Sequence, residues 1–576
     1  MGIIGELMQR IILLIVFGTT FLFAFKNDNK SYPQDFASPV NFSIKLSGTF
    51  AELRPNHYHG GIDIKPQKRN HQGDAILSIG EGYISRIVVS AHGYGNALYV
   101  THPNGYTSLY AHLQKFVPRI ATYVEAKHYE LESFELDIQL SSEILPVFKG
   151  EQIGYLGTTG HSFGPHLHFE IRDTKSQQTI NPLLFGFEVS DTKKPMMQSL
   201  KVYELNYKNE VERTENYGFK MEEEGVYNLL SDTIQVASNR MAVGIKVFDN
   251  ISGTSNPNGI YALSIFQEDS LIYDFDMEVF DNRETRYLNA HSDYNAWQNG
   301  EGHYYRGYRL KGNLQQNLFN KLENDGIIRL SKTPKRIKII AKDLVGNESV
   351  LEFFAKRSMV MKDSETKIYN YILPYNEGSI IKRKNLELYF EDSSFYETVY
   401  MNIYEIEDSS SEVFSSTFHI GEEEIPIHRP YEIRVKPHAN FDGSLKSKLY
   451  IGRCKNGRTS YVGGTWKGGW LTAKSRTFDD YVVLLDTIAP TITPLEFNGV
   501  KKPSPRLSFK LSDKGTGIQS YNAWVDGKWI LMKYDGKKNV IYHTFDEKIP
   551  TGTHSIRIVI SDLRGNTTVF ESAFIR

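Results

Sequence analysis

Three short segments combine residue types and spacings that could do chemistry: His59-Gly60-Gly61-Ile62-Asp63, Tyr110-Ala111-His112-Leu113 and His166-Leu167-His168. The four-residue step from His59 to Asp63 would suit one face of a helix. Two adjacent glycines argue against a helix and favour a loop that runs into a strand. In His166-Leu167-His168 a strand puts both imidazoles on one face, because residues i and i+2 point the same way. Leu167, Phe169 and Ile171 then share the opposite, apolar face. Side by side, the two imidazoles suit one metal ion or one substrate. His112 ends a strand in which Leu109, Ala111 and Leu113 alternate with Tyr110 and His112, which places His112 on the polar face. Two histidines and an aspartate could complete a three-ligand zinc site with an open position for water. Such an ion lowers the pKa of its water to about 7. Further histidines could polarise a carbonyl, stabilise an oxyanion and shuttle protons. The single cysteine, Cys454, excludes a disulfide framework and Cys-rich zinc sites, so a metal must be held by His and carboxylate.

The elements that must position these side chains read as strands. From Ser38 to about Ser190 the chain alternates β-like runs with turns: Ala75–Ala91, Asn96–Leu113 with Pro103-Asn104-Gly105 as a hairpin turn, Glu151–Gly160 and His166–Arg172. No amphipathic helix is apparent there. Gly157, Gly160 and Gly164 read as close turns. The rest of the chain is also β-patterned and carries a partial repeat. Asp191-Thr-Lys-Lys-Pro195 resembles Asp486-Thr-Ile-Ala-Pro490. Val247–Gly253 resembles Leu511–Gly517, and Asp343-Leu-Val-Gly-Asn347 resembles Asp562-Leu-Arg-Gly-Asn566. These Asp and Gly residues read as turn chemistry between strands, with no clustered carboxylate site. The first copy is longer and holds an insertion. Both copies suit immunoglobulin-like β-sandwiches, on strand and turn pattern alone. The expected division is an export segment at 1–25, a catalytic unit at 38–190, sandwiches at 191–361 and 486–576, and a β-rich block at 362–485.

A chain of 576 residues has room for several domains, and 40% apolar with 23% charged residues describes ordered globular protein. Tyr (35) and Phe (33) are abundant, which leans towards β structure. Lys plus Arg (66) nearly balances Asp plus Glu (68), which disfavours nucleic acid as a partner. Arg10, the apolar run Ile11–Phe25 and the polar Lys26-Asn27-Asp28 read as a secretory signal, with an uncleaved membrane anchor as the alternative. The expected location is the periplasm or cell envelope.

Together, Phe50–Ile64, Tyr110–Leu113 and Gly157–Arg172 resemble the M23 peptidases, the lysostaphin- and LytM-type zinc endopeptidases that cut peptide stems or cross-bridges of bacterial peptidoglycan. The resemblance covers about a quarter of the chain. It implies an all-β fold with a sheet groove, one Zn²⁺ held by His59, Asp63 and His168, and His112 and His166 as the catalytic histidines. It implies peptidoglycan as substrate and leaves the bond cut and the oligomeric state open. The alternatives are a non-catalytic M23-like regulator of a cell-wall amidase, against which the intact set of five residues speaks, and a wall-binding or adhesion protein. One departure is the segment Gln114–Val147 after Tyr-Ala-His-Leu, which reads as a groove wall or partial lid.

The remaining candidates have plainer readings. His57, His92, His102 and His161 read as solvated or loop-surface residues. Tyr461–Trp470 reads as a glycine-kinked hairpin rather than a sugar platform. Tyr294, Trp297, Tyr304, Tyr305 and Tyr308 suit either packing or a binding face. All five site residues lie N-terminal to residue 191, so the tail reads as dispensable for bond cleavage.

Overall fold

The computed structural model describes residues 32–315, 317–358, 368–407, 413–438 and 441–576. The apolar segment 1–25 lies outside the described residues. Among the described residues, no helix is long and apolar enough to cross a membrane. The fold is all-β: strands build every layer, and short helices occupy a few connections.

The N-terminal unit is organised on an antiparallel sheet. Its main strands are β1 (Leu46–Gly48), β2 (Ile62–Ile64), β3 (Gly82–Val89), β4 (Ala97–Thr101), β5 (Tyr106–Ala111), β6 (Leu136–Gln139) and β7 (Leu167–Asp173). They lie in the order β1-β2-β7-β5-β4-β3-β6. Ile62, Ile64, Tyr110, Leu167, Phe169 and Ile171 point into one core with Ile84, Ile87 and Val100. The other face of β5 carries Leu109 and Ala111, which pack with Ala97 and Tyr99. β7 lies between β2 and β5: His168 is in register with Asp63 on one side and Ala111 on the other. Gly61 permits that closeness, since a Cβ there would lie 2.1 Å from the Phe169 carbonyl oxygen.

The segment after Leu113 contains an element that the strand pattern concealed. Pro118–Leu131 forms helix α1, with Pro at its first turn and a left-handed C-cap at Glu132 (φ 46°). Its buried stripe is Ile120, Val124 and His128, one residue per turn. So narrow a stripe, one member of it a histidine, is swamped in sequence by Arg119, Glu125, Lys127 and Glu130 on the remaining surface.

The tail comprises three β-sandwich units. A five-stranded and a seven-stranded sheet span residues 196–357, two five-stranded sheets span 379–485, and two four-stranded sheets span 491–575. The tail is not strung out from the N-terminal unit. Phe50, Ala51, Leu53 and Tyr58 are buried in the same core as Leu263, Phe275 and Ile339 of the first sandwich. The Tyr58 amide donates to Thr285 Oγ1 at 2.8 Å and its hydroxyl to Gln315 Oε1 at 3.2 Å. Strand Thr179–Ile180 pairs with Val279–Phe280 across the same boundary. The last sandwich also returns to the N-terminal unit. Lys537 Nζ donates to the Thr158 carbonyl at 2.6 Å, and Trp529 meets Tyr129 of α1 edge-on. Between them lies a cavity of about 570 Å³, lined by α1, Thr158–Gly160 and residues 531–546.

Most of the downstream aromatics are packed into the fold, while Trp297, Trp466 and Trp470 keep part of their surface exposed. Tyr294, Tyr304, Tyr305 and Tyr308 are buried. Trp466 donates its indole N–H to the Lys446 carbonyl, in a hairpin turned by Gly468 and Gly469 at positive φ.

Candidate active site

β2, β7 and the end of β5 bring the five candidate residues to one place. His59 Nε2, Asp63 Oδ1 and His168 Nδ1 converge: His59 to Asp63 is 3.1 Å, His59 to His168 2.9 Å and His168 to Asp63 2.9 Å. His166 Nε2 lies 3.6 Å from the same Asp63 oxygen. The His112 and His166 rings are 4.8 Å apart, and His112 is 5.9 Å from His168. His59, Asp63, His112 and His168 are buried, while His166 is partly exposed.

His112 arrives by a route that strand alternation does not predict. Glu170 pairs with Leu109 and His168 with Ala111, so Leu109 and Ala111 share the site's face and Tyr110 faces the core. An extended residue 112 would follow Tyr110 inwards. Instead β5 ends at Ala111 and His112 takes a left-handed backbone, φ 59°. That conformation is uncommon for a residue with a Cβ, and it is held by the His112 amide donating to the Tyr94 carbonyl at 2.9 Å. Its ring thus turns back towards His166.

Each of the four imidazoles has one nitrogen committed, which leaves the other facing the centre. His59 Nδ1 donates to the Thr49 carbonyl at 2.7 Å, His112 Nδ1 to Thr159 at 2.8 Å and His166 Nδ1 to Gly164 at 2.8 Å. His168 Nε2 donates to Glu170 Oε1 at 2.9 Å. These acceptors fix tautomer and ring orientation, as the outer partners of metal-binding histidines do. Glu170 is itself fully buried and held by Arg172 and by the Tyr94 hydroxyl at 2.6 Å. Arg54 donates to Asp63 Oδ2, which leaves Oδ1 to the two histidines.

The electrostatics follow from burial and these partners. Burial lowers His59 to about 4, against the pull of Asp63. Burial, with the nearby His168 and His166, lowers His112 to about 3. His166 is also lowered, chiefly by burial. His168 is the exception: burial would lower it, but Asp63 and Glu170 on its two sides raise it to about 9. Burial would raise the Asp63 carboxyl, yet His59 and His168 hold it well below the carboxylate range. Buried Glu170 is brought down to about 2 by Arg172 and His168.

The donor set fits a divalent metal. Two imidazole nitrogens and one carboxylate oxygen, all buried, lie within 3.1 Å of one another. A tetrahedral ion with bonds of about 2.0–2.1 Å spaces its ligands about 3.3 Å apart, a difference of a few tenths of an ångström. The other histidines lie outside this centre. His57 Nδ1 donates to the Pro55 carbonyl, and His92 and His161 are exposed. His102, read as solvated, is instead a satisfied core residue, 3% exposed and bonded to the Glu81 carbonyl and Ser108 Oγ. Sequence reading missed Arg54, Thr49, Tyr94, Thr159 and Arg172. Glu170 had a signal, since it is two residues beyond His168 on the same strand face.

Residues 57–129 and 137–182 match the family model described as Peptidase family M23, and residues 370–486 match that of a Zu5-like domain. The DD-carboxypeptidase/endopeptidase Mpg of Neisseria meningitidis is 34% identical over 125 residues, 22% of each chain. The murein hydrolase activator NlpD of Escherichia coli is 30% identical over 125 residues, 22% of this chain and 25% of that one. The chain thus spans only about a quarter of the length of these relatives. Among solved structures, a mutant catalytic domain of the M23 protein EnpA from Enterococcus faecalis is 21% identical. It covers 27% of this chain and 98% of that one, with a TM-score of 0.19. A zinc-containing peptidase from Vibrio cholerae is 21% identical over 27% of this chain and 40% of that one, with a TM-score of 0.18. The buried His-Asp-His centre between β2, β5 and β7 is thus set in a domain of peptidase family M23, which this chain carries ahead of its β-sandwich tail.

Proposed function

We propose that the M23 domain is a zinc-dependent endopeptidase that hydrolyses peptide stems or cross-bridges of bacterial peptidoglycan, in a protein exported to the periplasm or cell envelope. One observation carries this reading. His59, Asp63 and His168 turn one donor atom each to a common point, and His112 and His166 stand beside it with Nε2 uncommitted. The relatives, a DD-carboxypeptidase/endopeptidase and a murein hydrolase activator, support the cell wall as the place of action.

His59, Asp63 and His168 would hold the Zn²⁺. When bound, zinc lowers the pKa of a water molecule to about 7 and polarises the scissile carbonyl. The protein's own residues do the rest. Their lowered pKa values keep His112 and His166 neutral at pH 7. With Nδ1–H given to a backbone carbonyl, each ring offers a lone pair at Nε2. The pair therefore begins as proton acceptor: one Nε2 takes the proton of the attacking water. The resulting Nε2–H donates to the oxyanion that forms at the carbonyl and passes its proton to the departing amine. Glu170 is a positioning residue, because it touches His168 rather than the substrate.

Two expected results test the metal assignment. His168→Ala should lose most of its zinc by elemental analysis, since it removes one of three protein ligands; full zinc content would refute the assignment. Glu170→Gln should keep the fold but weaken zinc binding about 10- to 100-fold in a competition titration. Unchanged affinity would show that the Glu170–His168 bond is only structural.

A second reading, a non-catalytic activator of another wall hydrolase, is favoured by the likeness to NlpD. Mass spectrometry of muropeptides released from purified sacculi separates the two. The endopeptidase opens stems or cross-bridges unaided and identifies the bond, whereas an activator releases products only with its partner enzyme present.

A further inference from the structure

The tail repeats are more than turns. Asp191, Asp249 and Asp343, far apart in sequence, each bring a carboxylate oxygen to within 4.8 Å of the other two. Asp486, Asp513 and Asp562, the corresponding residues of the last sandwich, do the same. The expectation that the repeats hold no carboxylate cluster is therefore wrong. Residues that look like separate turns in sequence lie at the same end of a sandwich and meet there.

The two clusters are built alike. Asp191 Oδ1 accepts from the Ser252 amide at 3.0 Å and its hydroxyl at 3.1 Å; Asp486 Oδ2 accepts from the Thr516 amide at 2.9 Å and hydroxyl at 2.7 Å. Asp343 accepts from the Asn347 amide and side chain, and Asp562 from those of Asn566. Backbone and side-chain donors thus aim the outer two carboxylates of each cluster. The middle one keeps an oxygen in reserve: Asp249 Oδ1 and Asp513 Oδ1 are buried oxygens with no hydrogen-bond partner, while Asp513 Oδ2 accepts from the Gly515 and Gly517 amides. Asp249 is only 3% exposed, and it lines a small cavity of about 50 Å³ together with Asp191 and Asp343.

A buried carboxylate oxygen without a donor, beside two more carboxylates, is costly unless a cation shares the space. Burial, with Asp191 and Asp343 alongside, pushes the Asp249 carboxyl up to about 7. The donors are all hard oxygens, which suits Ca²⁺ or Mg²⁺ rather than zinc. Oxygens on one calcium ion, at 2.3–2.6 Å each, stand at most about 5 Å apart, in keeping with these clusters. Calcium also tolerates the irregular geometry that three separate loops supply, whereas magnesium demands a near-ideal octahedron.

We infer that Asp191, Asp249 and Asp343 form a calcium site, and that Asp486, Asp513 and Asp562 form a second one of the same design. The first lies where the M23 domain meets the tail. Thr49 and Phe50 line its cavity, and the Thr49 carbonyl is the acceptor that orients His59. Calcium there ties the loop that orients His59 to the first sandwich.

The test is calorimetric titration of the metal-stripped full chain with CaCl₂, with thermal melting alongside. The expected stoichiometry is two calcium ions per chain, with a melting temperature raised by several degrees. Asp249→Asn and Asp513→Asn should each bind one ion, and the double variant none. Asparagine is isosteric and removes one of three crowded charges, so calcium-free Asp249→Asn should melt no lower than the calcium-free parent, which guards against a folding artefact. No binding at millimolar calcium, or a stoichiometry unchanged in both variants, would overturn the sites. Equal binding of MgCl₂ would overturn the choice of calcium.

Discussion

Alanine at His112 or at His166 is expected to leave zinc content intact and to cut hydrolysis of a cross-linked stem peptide by about 10²- to 10⁴-fold. Neither imidazole belongs to the converging set of His59, Asp63 and His168, so removing it takes no ligand atom away. On the proposed mechanism, what is lost is the proton acceptor next to the attacking water and the donor to the oxyanion. The rings are 4.8 Å apart and both are neutral for the same reason, burial, so neither substitutes fully for the other. His112 needs a control because its backbone is left-handed. Alanine keeps the strain and glycine relieves it, so His112→Gly should be at least as stable as His112→Ala and equally inactive. If either single variant turns over at near the parent rate, the assigned catalytic pair is wrong.

The parts of the site legible in sequence are those fixed by local periodicity. His166-Leu167-His168 is readable because a two-residue period assigns Leu167, Phe169 and Ile171 to the core, and all three are fully buried. Glu170 obeys the same rule and was available by it. His112 marks the limit. The alternation placed it on a polar strand face, but Tyr110 faces the core and a single left-handed residue redirects the ring. The acceptors Thr49, Thr159 and Gly164 act through backbone carbonyls, which carry no side-chain signature. The aspartate clusters were hidden for a related reason. Each Asp suits a tight turn when read alone, and only the sandwich brings the three turns to one end. α1 was lost because a stripe of Ile120, Val124 and His128 is too narrow to outweigh its charged neighbours.

A fragment ending at residue 190 is expected to fold poorly and to lose both tight zinc binding and hydrolysis of a small soluble stem peptide, although it contains all five site residues. Sequence alone suggests the opposite, since nothing in the tail resembles catalytic machinery. The shared core argues for the fragment's failure. Phe50, Ala51, Leu53 and Tyr58 precede His59 directly and are buried in the core of the first sandwich. Cutting at 190 removes that core and leaves an apolar surface beside the loop that carries His59, which favours aggregation. The same loop carries Thr49, whose carbonyl orients His59, so its loosening reaches the His-Asp-His centre directly. The point-mutant version is Tyr58→Ala in the full chain. Tyr58 is fully buried and its hydroxyl bonds Gln315 across the boundary, so loss of the side chain should cost about 3–5 kcal/mol of stability. Zinc content, melting temperature and peptide hydrolysis should fall together in that variant. A soluble, zinc-loaded fragment 32–190 that cleaves the peptide at the full-chain rate would show that the loop folds on its own. The first sandwich would then be a passive neighbour of the active site.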